Sequence, residues 1–392
     1  MELYRGAIRP LLFGLDAETS HRATLRLCRA FGRSSLVRRA LEQRFGIDDP
    51  RLHTTVAGIP FPSPVGLAAG FDKNAEAVEI MSRLGFGFVE VGSISEQPSP
   101  GNRQRPRVWR LTADEGLRVY YGCPNEGAAV IAARLGTEKL EHDPEKSTDF
   151  SGKIMRPNKY LAIPLGVNLV ETNTGTMATA EHAAEELARA IGRFVGIADY
   201  IVLNLSCPNM PQGGRGLFDA PEMLRLLLAR CARYGALPPL FLKITPPGNP
   251  TYPRVIDPIL AAVDAFAFVK GFILNIPNTQ PYATLRTPAA EFDRMRGGVT
   301  GPSLRAPTNA AIRGWYARID RTRHVLVGVG GIASAEDAYA TIRLGASLVQ
   351  LYTALVYRGP GVIKRINDGL CRLLERDGFA NIAEAVGIDN RV

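Results

Sequence analysis

The chain has few cysteines, no long apolar run and no cluster of basic residues, and each absence excludes a class of protein. Its five cysteines are an odd number, lie far apart and form no Cys-x-x-Cys pair. This spacing argues against a disulfide framework and against a zinc site, and it favours a reducing compartment. No apolar run is long enough to span a bilayer. Arginines interrupt every apolar run near the N-terminus, so we expect no signal peptide.

The basic residues are spread along the whole chain. The formal net charge is +9, yet no Lys/Arg-rich run resembles a nucleic-acid motif. We therefore expect no nucleic-acid partner and interpret the charge as favouring anionic small molecules or an anionic membrane surface. The 392 residues, 46% of them hydrophobic, suffice for a large core, either one barrel with an appendage or two ordinary domains.

Residues 1–50 differ in pattern from residues 51–392. Apolar residues alternate with arginines in two short segments, and Asp16 offers a helix cap between them. The pattern predicts two basic amphipathic helices. Their apolar stripe either packs on the main domain or lies on a membrane surface with the arginines facing anionic headgroups, so residues 1–45 are a candidate peripheral membrane contact.

From residue 60 onward, short apolar runs alternate with helical patterns. The predicted strands are Val65–Gly70, Phe86–Ser93, Leu165–Leu169, Tyr200–Ser206, Leu240–Thr245, Gly271–Ile276, His324–Gly331 and Ser347–Thr353. Predicted helices between them include Ala180–Val195, Pro221–Tyr234, Thr308–Ile319 and Ala335–Leu344. Eight continuous apolar strands with intervening helices predict an α/β fold, a (β/α)8 TIM barrel with a small N-terminal helical extension. An open doubly wound sheet is the alternative.

Chemically capable residues stand at the C-terminal ends of nearly all the predicted strands. They are Lys73, Ser93, Asn168, Asn204, Cys207, Lys243, Asn275, Gly330, Gly331, Tyr352 and Thr353. A (β/α)8 barrel carries its active site at this end, so a ring of such residues predicts a binding site at the mouth. The two long connections, Ile94–Ala162 and Pro277–Arg323, follow strands at the same end.

Three of these features indicate particular chemistry. Cys207 leaves a buried strand within the polar segment Asn204–Asn209, either as an active-site nucleophile or as an ordinary buried cysteine. Gly330-Gly331 and Tyr352-Thr353 follow the last two strands, where such barrels bind phosphate, although tight βα turns also need glycine. Lys243 lies among apolar neighbours, which is costly unless an anionic ligand or an internal ion pair meets it.

These segments together resemble the dihydroorotate dehydrogenase family, in particular its membrane-associated, quinone-using class. The matching stretches are Ala68–Asn74, Gly85–Ser93, Gly166–Asn168, Gly297–Gly301, Gly328–Ile332 and Leu351–Thr353, and Arg9–Phe13 resembles the family's N-terminal quinone-channel module. The similarity covers nearly the whole chain.

The resemblance implies FMN as the cofactor, pyrimidine biosynthesis as the context and a quinone as the electron acceptor. The implied FMN contacts are Ala69, Gly70, Lys73, Ser93, Asn168, Asn204, Lys243, Asn275, Gly301, Gly330, Gly331, Tyr352 and Thr353. The implied substrate contacts are Lys73, Asn204, Asn209, Gly122 and Asn125. Cys207 and Lys243 are the implied catalytic residues, with Cys207 as the base that removes the C5 proton of dihydroorotate. No metal is expected.

Several residues depart from the family pattern. Cys207 stands where the quinone-using class typically has serine, and cysteine there resembles the soluble class. In the long loop, Val119 replaces an asparagine and Cys123 a phenylalanine. After the sixth strand, this chain has Asn275-Ile276-Pro277 where the family has Thr-Asn-Thr, although Asn278-Thr279 follows. After the third strand, it has Val170–Asn173 where the family has Gly-Lys-Asn. The pocket is therefore expected to be more apolar than the family's.

These departures leave three hypotheses. The first is FMN-dependent oxidation of dihydroorotate to orotate with quinone, at the cytoplasmic side of the inner membrane or in the cytoplasm. The second keeps FMN and Cys207 but takes a different cyclic amide or dihydro-heterocycle. The third is a noncatalytic flavoprotein, against which the retained Cys207 and Lys243 argue.

Overall fold

The computed structural model describes residues 4–138, 161–209, 216–245, 256–275 and 285–390. The strands are β1 (Thr54–Val56), β2 (Ile59–Phe61), β3 (Val65–Leu67), β4 (Phe88–Ile94), β5 (Val108–Leu111), β6 (Gly116–Val119), β7 (Leu165–Leu169), β8 (Tyr200–Asn204), β9 (Leu240–Ile244), β10 (Val269–Leu274), β11 (Gly298–Thr300), β12 (Val325–Val329) and β13 (Ala346–Leu351). The helices are α1 (Arg9–Phe13), α2 (Ala17–Gly32), α3 (Ser35–Phe45), α4 (Val78–Met81), α5 (Ala128–Glu138), α6 (Ala180–Phe194), α7 (Pro221–Ala232), α8 (Ile256–Val263), α9 (Ala289–Phe292), α10 (Arg305–Tyr316), α11 (Ala335–Arg343), α12 (Thr353–Arg358) and α13 (Gly361–Asp377).

Eight parallel strands close into a barrel in the order β3-β4-β7-β8-β9-β10-β12-β13, with β13 pairing back to β3. The predicted (β/α)8 barrel is confirmed, and the open doubly wound sheet is excluded because the sheet has no free edge. All eight predicted strands are present. Several end earlier than predicted; the last-but-one stops at Val329 because Gly330 and Gly331 adopt positive φ angles, which leave the extended conformation.

Apolar side chains fill the N-terminal half of the barrel interior. Phe61, on the β1–β2 hairpin, packs edge-to-face on Phe88 with ring centroids 5.3 Å apart, and Tyr200 packs on Phe241 at 5.5 Å. Val202, Ile273, Val327 and Leu348 complete this interior cluster. The hairpin pairs antiparallel and contributes Val56, Ile59 and Phe61 to the cluster. This apolar plug, the cluster at the N-terminal ends of the strands, leaves only the C-terminal mouth of the barrel for polar residues that could bind a ligand.

A hydrogen-bonded chain of polar groups crosses the barrel interior above that plug. Glu90 is fully buried and accepts hydrogen bonds from Asn168 Nδ2 at 2.8 Å and from Gln350 Nε2 at 2.5 Å. Asn168 Oδ1 accepts from Ser93 Oγ at 2.5 Å, and Ser93 Oγ accepts from Asn204 Nδ2 at 3.0 Å. A buried carboxylate is costly without such partners, so the chain ties β4, β7, β8 and β13 together through side chains.

The outer faces of the strands are covered by amphipathic helices, of which α6 is representative. Thr179 caps it by accepting a hydrogen bond from the backbone N–H of His182 at 3.3 Å. Its buried face repeats at helical spacing and comprises Ala183, Ala184, Leu187, Ala188, Ala190, Ile191 and Phe194. Burying a large side chain of this kind contributes about 1.5–3 kcal/mol, so the helix is held mainly by packing.

A second, three-stranded antiparallel sheet in the order β11-β6-β5 accompanies the barrel. Its strands come from the two long connections, Ile94–Ala162 and Pro277–Arg323, for which the sequence predicted no strands. Tyr357 of α12 donates its hydroxyl to the Gly116 carbonyl at 2.7 Å, and Thr300 Oγ1 lies 2.9 Å from Thr353 Oγ1. These contacts fix the sheet beside the C-terminal ends of β12 and β13.

The N-terminal residues form three helices, α1 to α3, preceded by a short π-helical turn, where the sequence predicted two helices. Ion pairs join them to the barrel, including Arg29–Glu76 at 3.2 Å and Arg83–Glu42 at 3.1 Å. Their apolar face is only partly covered. Among the described residues, six of the ten large exposed hydrophobics lie here, namely Ile8, Leu11, Leu15, Leu27, Phe31 and Leu36.

The length and hydropathy of the described helices rule each of them out as a membrane span.

Candidate active site

A cavity opens at the C-terminal ends of the barrel strands. It encloses about 710 Å³, including its open mouth. Eight of the thirteen residues predicted to contact a cofactor line it: Ala69, Lys243, Asn275, Gly301, Gly330, Gly331, Tyr352 and Thr353. The fold thus brings together residues that lie up to 284 positions apart in the sequence.

One end of the cavity is built from backbone. Gly331 has φ +79°, and a Cβ there would lie 2.6 Å from the backbone nitrogen of Arg305. Only glycine therefore fits this turn between β12 and α11. The neighbouring wall is formed by Tyr352 and Thr353, where β13 passes into α12. Glycine turns and helix starts of this kind can present backbone N–H groups to a phosphate or another anion.

Among the described residues, the polar chain inside the barrel includes two buried carboxamide oxygens without a partner, one of them on a cavity-lining residue. Asn204 Oδ1 is buried without a hydrogen-bond partner, as is Oε1 of Gln350, a residue that lines the cavity. Asn168 is fully buried below them and is bonded to Ser93 and Glu90. Orphaned buried acceptors are rare in folded proteins, so their presence points to a ligand that donates hydrogen bonds.

Lys243 is the penultimate residue of β9, opposite Asn204 in the register of β8 and β9, and its side chain is buried. It lines the cavity beside Asn275, which directly follows β10. Within the described part of the chain, its ammonium has no hydrogen-bond or ion-pair partner. The internal ion pair considered from the sequence is therefore absent among these residues, which leaves an anionic ligand as the partner that Lys243 fits.

Lys73 and Gly70 follow the first barrel strand. Lys73 Nζ donates to the Gly70 carbonyl at 2.6 Å and lies 4.1 Å from the centre of the Tyr121 ring. Burial lowers the pKa of Lys73 to about 8, so the side chain is mainly cationic at neutral pH. A cation held by a carbonyl and an aromatic face can still receive a carboxylate.

Cys207 follows β8, and its sulfur lies 3.4 Å from the sulfur of Cys123. Both are free thiols, and with Val170 they form a small apolar cluster. The hydrogen bond from Cys123 lowers the pKa of Cys207, assisted by the backbone N–H of Asn209. The same hydrogen bond and burial raise the pKa of Cys123. Cys207 is thus the more acidic thiol, as a base requires.

The loop that carries Cys123 is held by side-chain amides. The Asn125 carboxamide accepts from the backbone N–H groups of Ser95 (3.2 Å) and Gly127 (2.9 Å), and it donates to Ser95 Oγ (2.8 Å) and the Cys123 carbonyl (3.0 Å). All four of its hydrogen-bonding positions are used, so none is left for a substrate. The carbonyl of Gly122, the residue before Cys123, accepts a hydrogen bond from Asn173 Nδ2 at 2.9 Å.

Asn209, the other carboxamide predicted to contact a substrate, has a free acceptor. Its backbone carbonyl accepts from Asn102 Nδ2 at 3.1 Å, while its buried Oδ1 has no partner. Glu171 also lies beside the thiols, and burial, with the negative charge of Glu186, raises its pKa to about 7. Ile276, Asn278 and Thr279, the altered positions after the sixth barrel strand, lie outside the described residues.

A group of aromatic rings joins the N-terminal helices to the cavity wall. His21 of α2 packs on Phe71 at 5.3 Å between ring centroids, and it lies 6.3 Å from Tyr352 and 6.4 Å from Tyr121. Burial, together with the positive charge of Lys73, lowers the pKa of His21 to about 3, so the imidazole is neutral. These rings therefore form a neutral aromatic contact between α2 and Tyr352, a residue that lines the cavity.

Sequence reasoning missed Glu90, Gln350, Tyr121 and His21 as site components. Glu90 and Gln350 carried a usable signal, because each is a polar residue inside an otherwise apolar strand. Tyr121 and His21 carried none, since only the folded chain places them beside Lys73 and Tyr352.

Comparison with known proteins identifies the relatives of this chain. A sequence profile described as Dihydroorotate dehydrogenase matches residues 51–374. The chain is 38% identical over 384 residues to "Dihydroorotate dehydrogenase (quinone)" of Halobacterium salinarum, covering 98% of this chain and 99% of that one. A protein of the same description from Xanthobacter autotrophicus is 37% identical over 401 residues, covering 100% of both.

The fold is also similar to a solved structure. The crystal structure of ligand-free type DHODH from Eimeria tenella superposes with a TM-score of 0.78 at 30% sequence identity. The match covers 96% of this chain and 100% of that one.

Proposed function

The chain belongs to the dihydroorotate dehydrogenase family, and from that premise we propose that it oxidises dihydroorotate to orotate in pyrimidine biosynthesis and passes the electrons to a quinone. It is a flavin-dependent oxidoreductase that acts on a CH–CH group. The observation that carries the proposal is the cavity at the barrel mouth. There, Lys243, which has no partner among the described residues, and a backbone cradle lie at the strand ends that also carry the acidic thiol Cys207.

The cavity residues fit FMN. Backbone N–H groups around Gly330 and Gly331, with Tyr352 and Thr353, would hold its phosphate. Ala69, Gly70, Asn275 and Gly301 would surround the rest, and Ser93 and Asn168 would support Asn204. When bound, FMN supplies the hydride acceptor. Lys243 fits the anionic side of the ring system, since its charge has no partner among the described residues.

The substrate would lie against Cys207, Lys73 and the side-chain oxygens of Asn204 and Asn209, which have no partner among the described residues. Lys73 supplies a cation for the carboxylate of dihydroorotate, while Asn204 Oδ1 and Asn209 Oδ1 would accept from its ring N–H groups. Cys207 would take the C5 proton. Gly122 remains a candidate backbone contact, whereas we assign Asn125 to holding the Cys123 loop, because its carboxamide is fully bonded there.

The electrons would leave toward the N-terminal helices. We place the quinone along the rings of His21, Phe71 and Tyr352, with residues 1–50 as the entry module and residues 51–392 as the catalytic domain. The exposed apolar side chains of α1 to α3 support peripheral contact of residues 1–45 with the cytoplasmic side of the inner membrane.

A second candidate keeps the cofactor and changes the substrate. Cys123, Val170 and Cys207 form an apolar cluster beside the proposed base. This favours a different cyclic amide or dihydro-heterocycle, because the altered loop offers fewer carboxamides to orotate. Each lost hydrogen bond costs on the order of 1 kcal/mol, so two would weaken binding more than tenfold.

One anaerobic titration tests the proposal. The purified protein is first checked for the absorbance of bound FMN, and L-dihydroorotate is then added without oxygen. We expect rapid bleaching of the flavin, followed by return of the yellow colour when a short-chain ubiquinone is added. Orotate serves as the matched control and should bleach nothing. A flavin that stays oxidised with dihydroorotate would refute the first candidate and favour the second.

A further inference from the structure

We propose that Cys123 is a positioning residue that donates its S–H to Cys207, so that the two sulfurs share one proton and Cys207 is the thiolate that accepts the substrate proton. The inference rests on the proposed function, because it assigns the base of that reaction a partner. The residues typical of the family, serine at position 207 and phenylalanine at position 123, would not provide the same pair of thiols.

The contact itself supports this assignment. The two sulfurs are 3.4 Å apart, within hydrogen-bonding distance for a thiol and a thiolate. A second donor, the backbone N–H of Asn209, points to Cys207. Cys207 therefore receives two hydrogen bonds when it is ionised, which stabilises the negative charge on its sulfur rather than on Cys123.

The backbone around Cys123 is shaped to aim its thiol. Gly122 and Cys123 have φ angles of +66° and +54°, and a non-glycine residue in this region is uncommon. Asn125 Nδ2 holds the Cys123 carbonyl and Asn173 Nδ2 holds the Gly122 carbonyl, at 3.0 and 2.9 Å. Unfavourable backbone conformations persist where the surroundings over-determine them, and they cluster at functional sites.

Three charged or titratable side chains face the pair. Lys243 favours the thiolate on Cys207, whereas Lys73 favours it on Cys123. Glu171 opposes a thiolate on either sulfur once its own carboxyl ionises. The two lysines thus act on opposite partners, and the backbone N–H of Asn209, which donates to Cys207 alone, favours the thiolate on Cys207.

The proton balance of the step is simple. The C5–H bond breaks and its proton forms the S–H bond of Cys207. FMN, when bound, would supply the two-electron acceptor for the hydride at C6. The pair then carries two protons and must release one to solvent before the next turnover. Cys123 keeps its own proton throughout.

The pH dependence of Cys207 alkylation tests the proposal without any substrate. Purified protein with its native cofactor is treated with iodoacetamide across pH 5–10, and Cys207 modification is followed by peptide mass spectrometry. Cys123→Ala should raise the apparent pKa of Cys207 by about one unit and so slow alkylation at pH 7 about tenfold. Cys123→Ser, which keeps a donor, should give a smaller shift. Cys28→Ala, which removes a thiol from α2, should give none.

Unchanged Cys207 reactivity in both Cys123 variants would overturn the proposal, as would faster alkylation in Cys123→Ala. Thermal melting shows whether Cys123→Ala has misfolded. If it has, the Cys207 alkylation rate of Cys123→Ser, the closer isostere, decides the test. The alkylation experiment measures no turnover. A higher apparent pKa of Cys207 in Cys123→Ala than in the wild-type protein therefore supports the hydrogen-bonded thiol pair even if dihydroorotate fails to bleach the flavin. In an active enzyme, the pH profile of kcat should move with the alkylation profile.

Discussion

The two sides of the site are built in different ways. The proposed cofactor end, made of Lys243, Gly330, Gly331, Tyr352 and Thr353, lies on barrel strands and the turns that directly follow them. The proposed substrate loop, residues 119–125, begins at the last residue of β6 in the added sheet and is held by side-chain amides. Rigid strand ends position a cofactor with little help, whereas a loop needs its own supporting bonds.

Two of the chain's departures from its family follow this difference. The segments that match the family include the strand turns of the cofactor end, while Val119 and Cys123 both fall in the substrate loop. A loop supported by carboxamides from neighbouring segments tolerates such changes, because its backbone remains fixed. We therefore expect substitutions to separate flavin binding from substrate chemistry.

The largest separation is expected from Cys207→Ala. Removing a general base typically costs 10²–10⁴-fold in rate, so flavin reduction by substrate should fall by about that factor. FMN content should not change, because Cys207 does not line the cavity. Stopped-flow bleaching and the flavin-to-protein absorbance ratio measure the two effects.

Cys207→Ser is the matched control, since serine keeps a protonatable oxygen at the same place. It should retain part of the activity at high pH. Full activity in Cys207→Ala would remove the assignment of the base.

Gly331→Ala should produce the reverse separation, with the loss on the cofactor side. A Cβ at φ +79° would lie 2.6 Å from the backbone nitrogen of Arg305, so the turn must shift. Strain of about 1–3 kcal/mol should weaken FMN binding roughly 10- to 100-fold. Equilibrium dialysis of FMN measures the affinity. An unchanged affinity would show that this turn does not hold the phosphate.

Asn125→Ala should affect only the substrate loop. The change removes four hydrogen bonds and leaves buried backbone groups unpaired, at a cost of about 1–3 kcal/mol. We expect a raised KM and a lower Tm with normal FMN content. Asn390→Ala, which removes a carboxamide at the far end of the chain, is the control. A loss of FMN in Asn125→Ala would contradict the separation.

The smallest effect is expected from Glu171→Gln and depends on pH. The ordinary pKa of this carboxyl is 4.5 and burial raises it to about 7. The folded state therefore binds more protons between these values, and its stability falls as pH rises from about 4.5 to 7.

Glutamine cannot ionise, so the variant should escape that loss. Relative to the parent, Glu171→Gln should gain about 1–3 kcal/mol of unfolding free energy between pH 5 and pH 8. Urea denaturation at the two pH values measures it. If Glu171→Gln and the parent protein differ in unfolding free energy by the same amount at both pH values, Glu171 does not titrate near neutrality.

The sequence predicted the barrel better than its surroundings. Each barrel strand is a mainly apolar run, which is a direct signature of a parallel strand buried on both faces. The strands β5, β6 and β11 are only three or four residues long and form because the barrel supports them, so no local pattern marked them.

The site shows the same division. Eight of the thirteen residues predicted to contact a cofactor line one cavity, and most of them follow strand ends, while their roles toward a cofactor stay predictions. The Cys123–Cys207 contact joins residues 84 positions apart, and nothing local connects them. Asn125 illustrates a different difficulty, since a loop carboxamide that binds a ligand and one that holds the loop have the same sequence signature.

The burial of the Glu90 side chain has a consequence for the synthesis and folding of the chain on the ribosome. Its two amide partners are Asn168, 78 positions later, and Gln350, 260 positions later. On the ribosome, Glu90 emerges long before Gln350 has been translated. The nascent chain must therefore keep this side chain hydrated, or otherwise protected, until almost nine-tenths of the polypeptide exists. Only the arrival of the last barrel strand gives Glu90 its second amide.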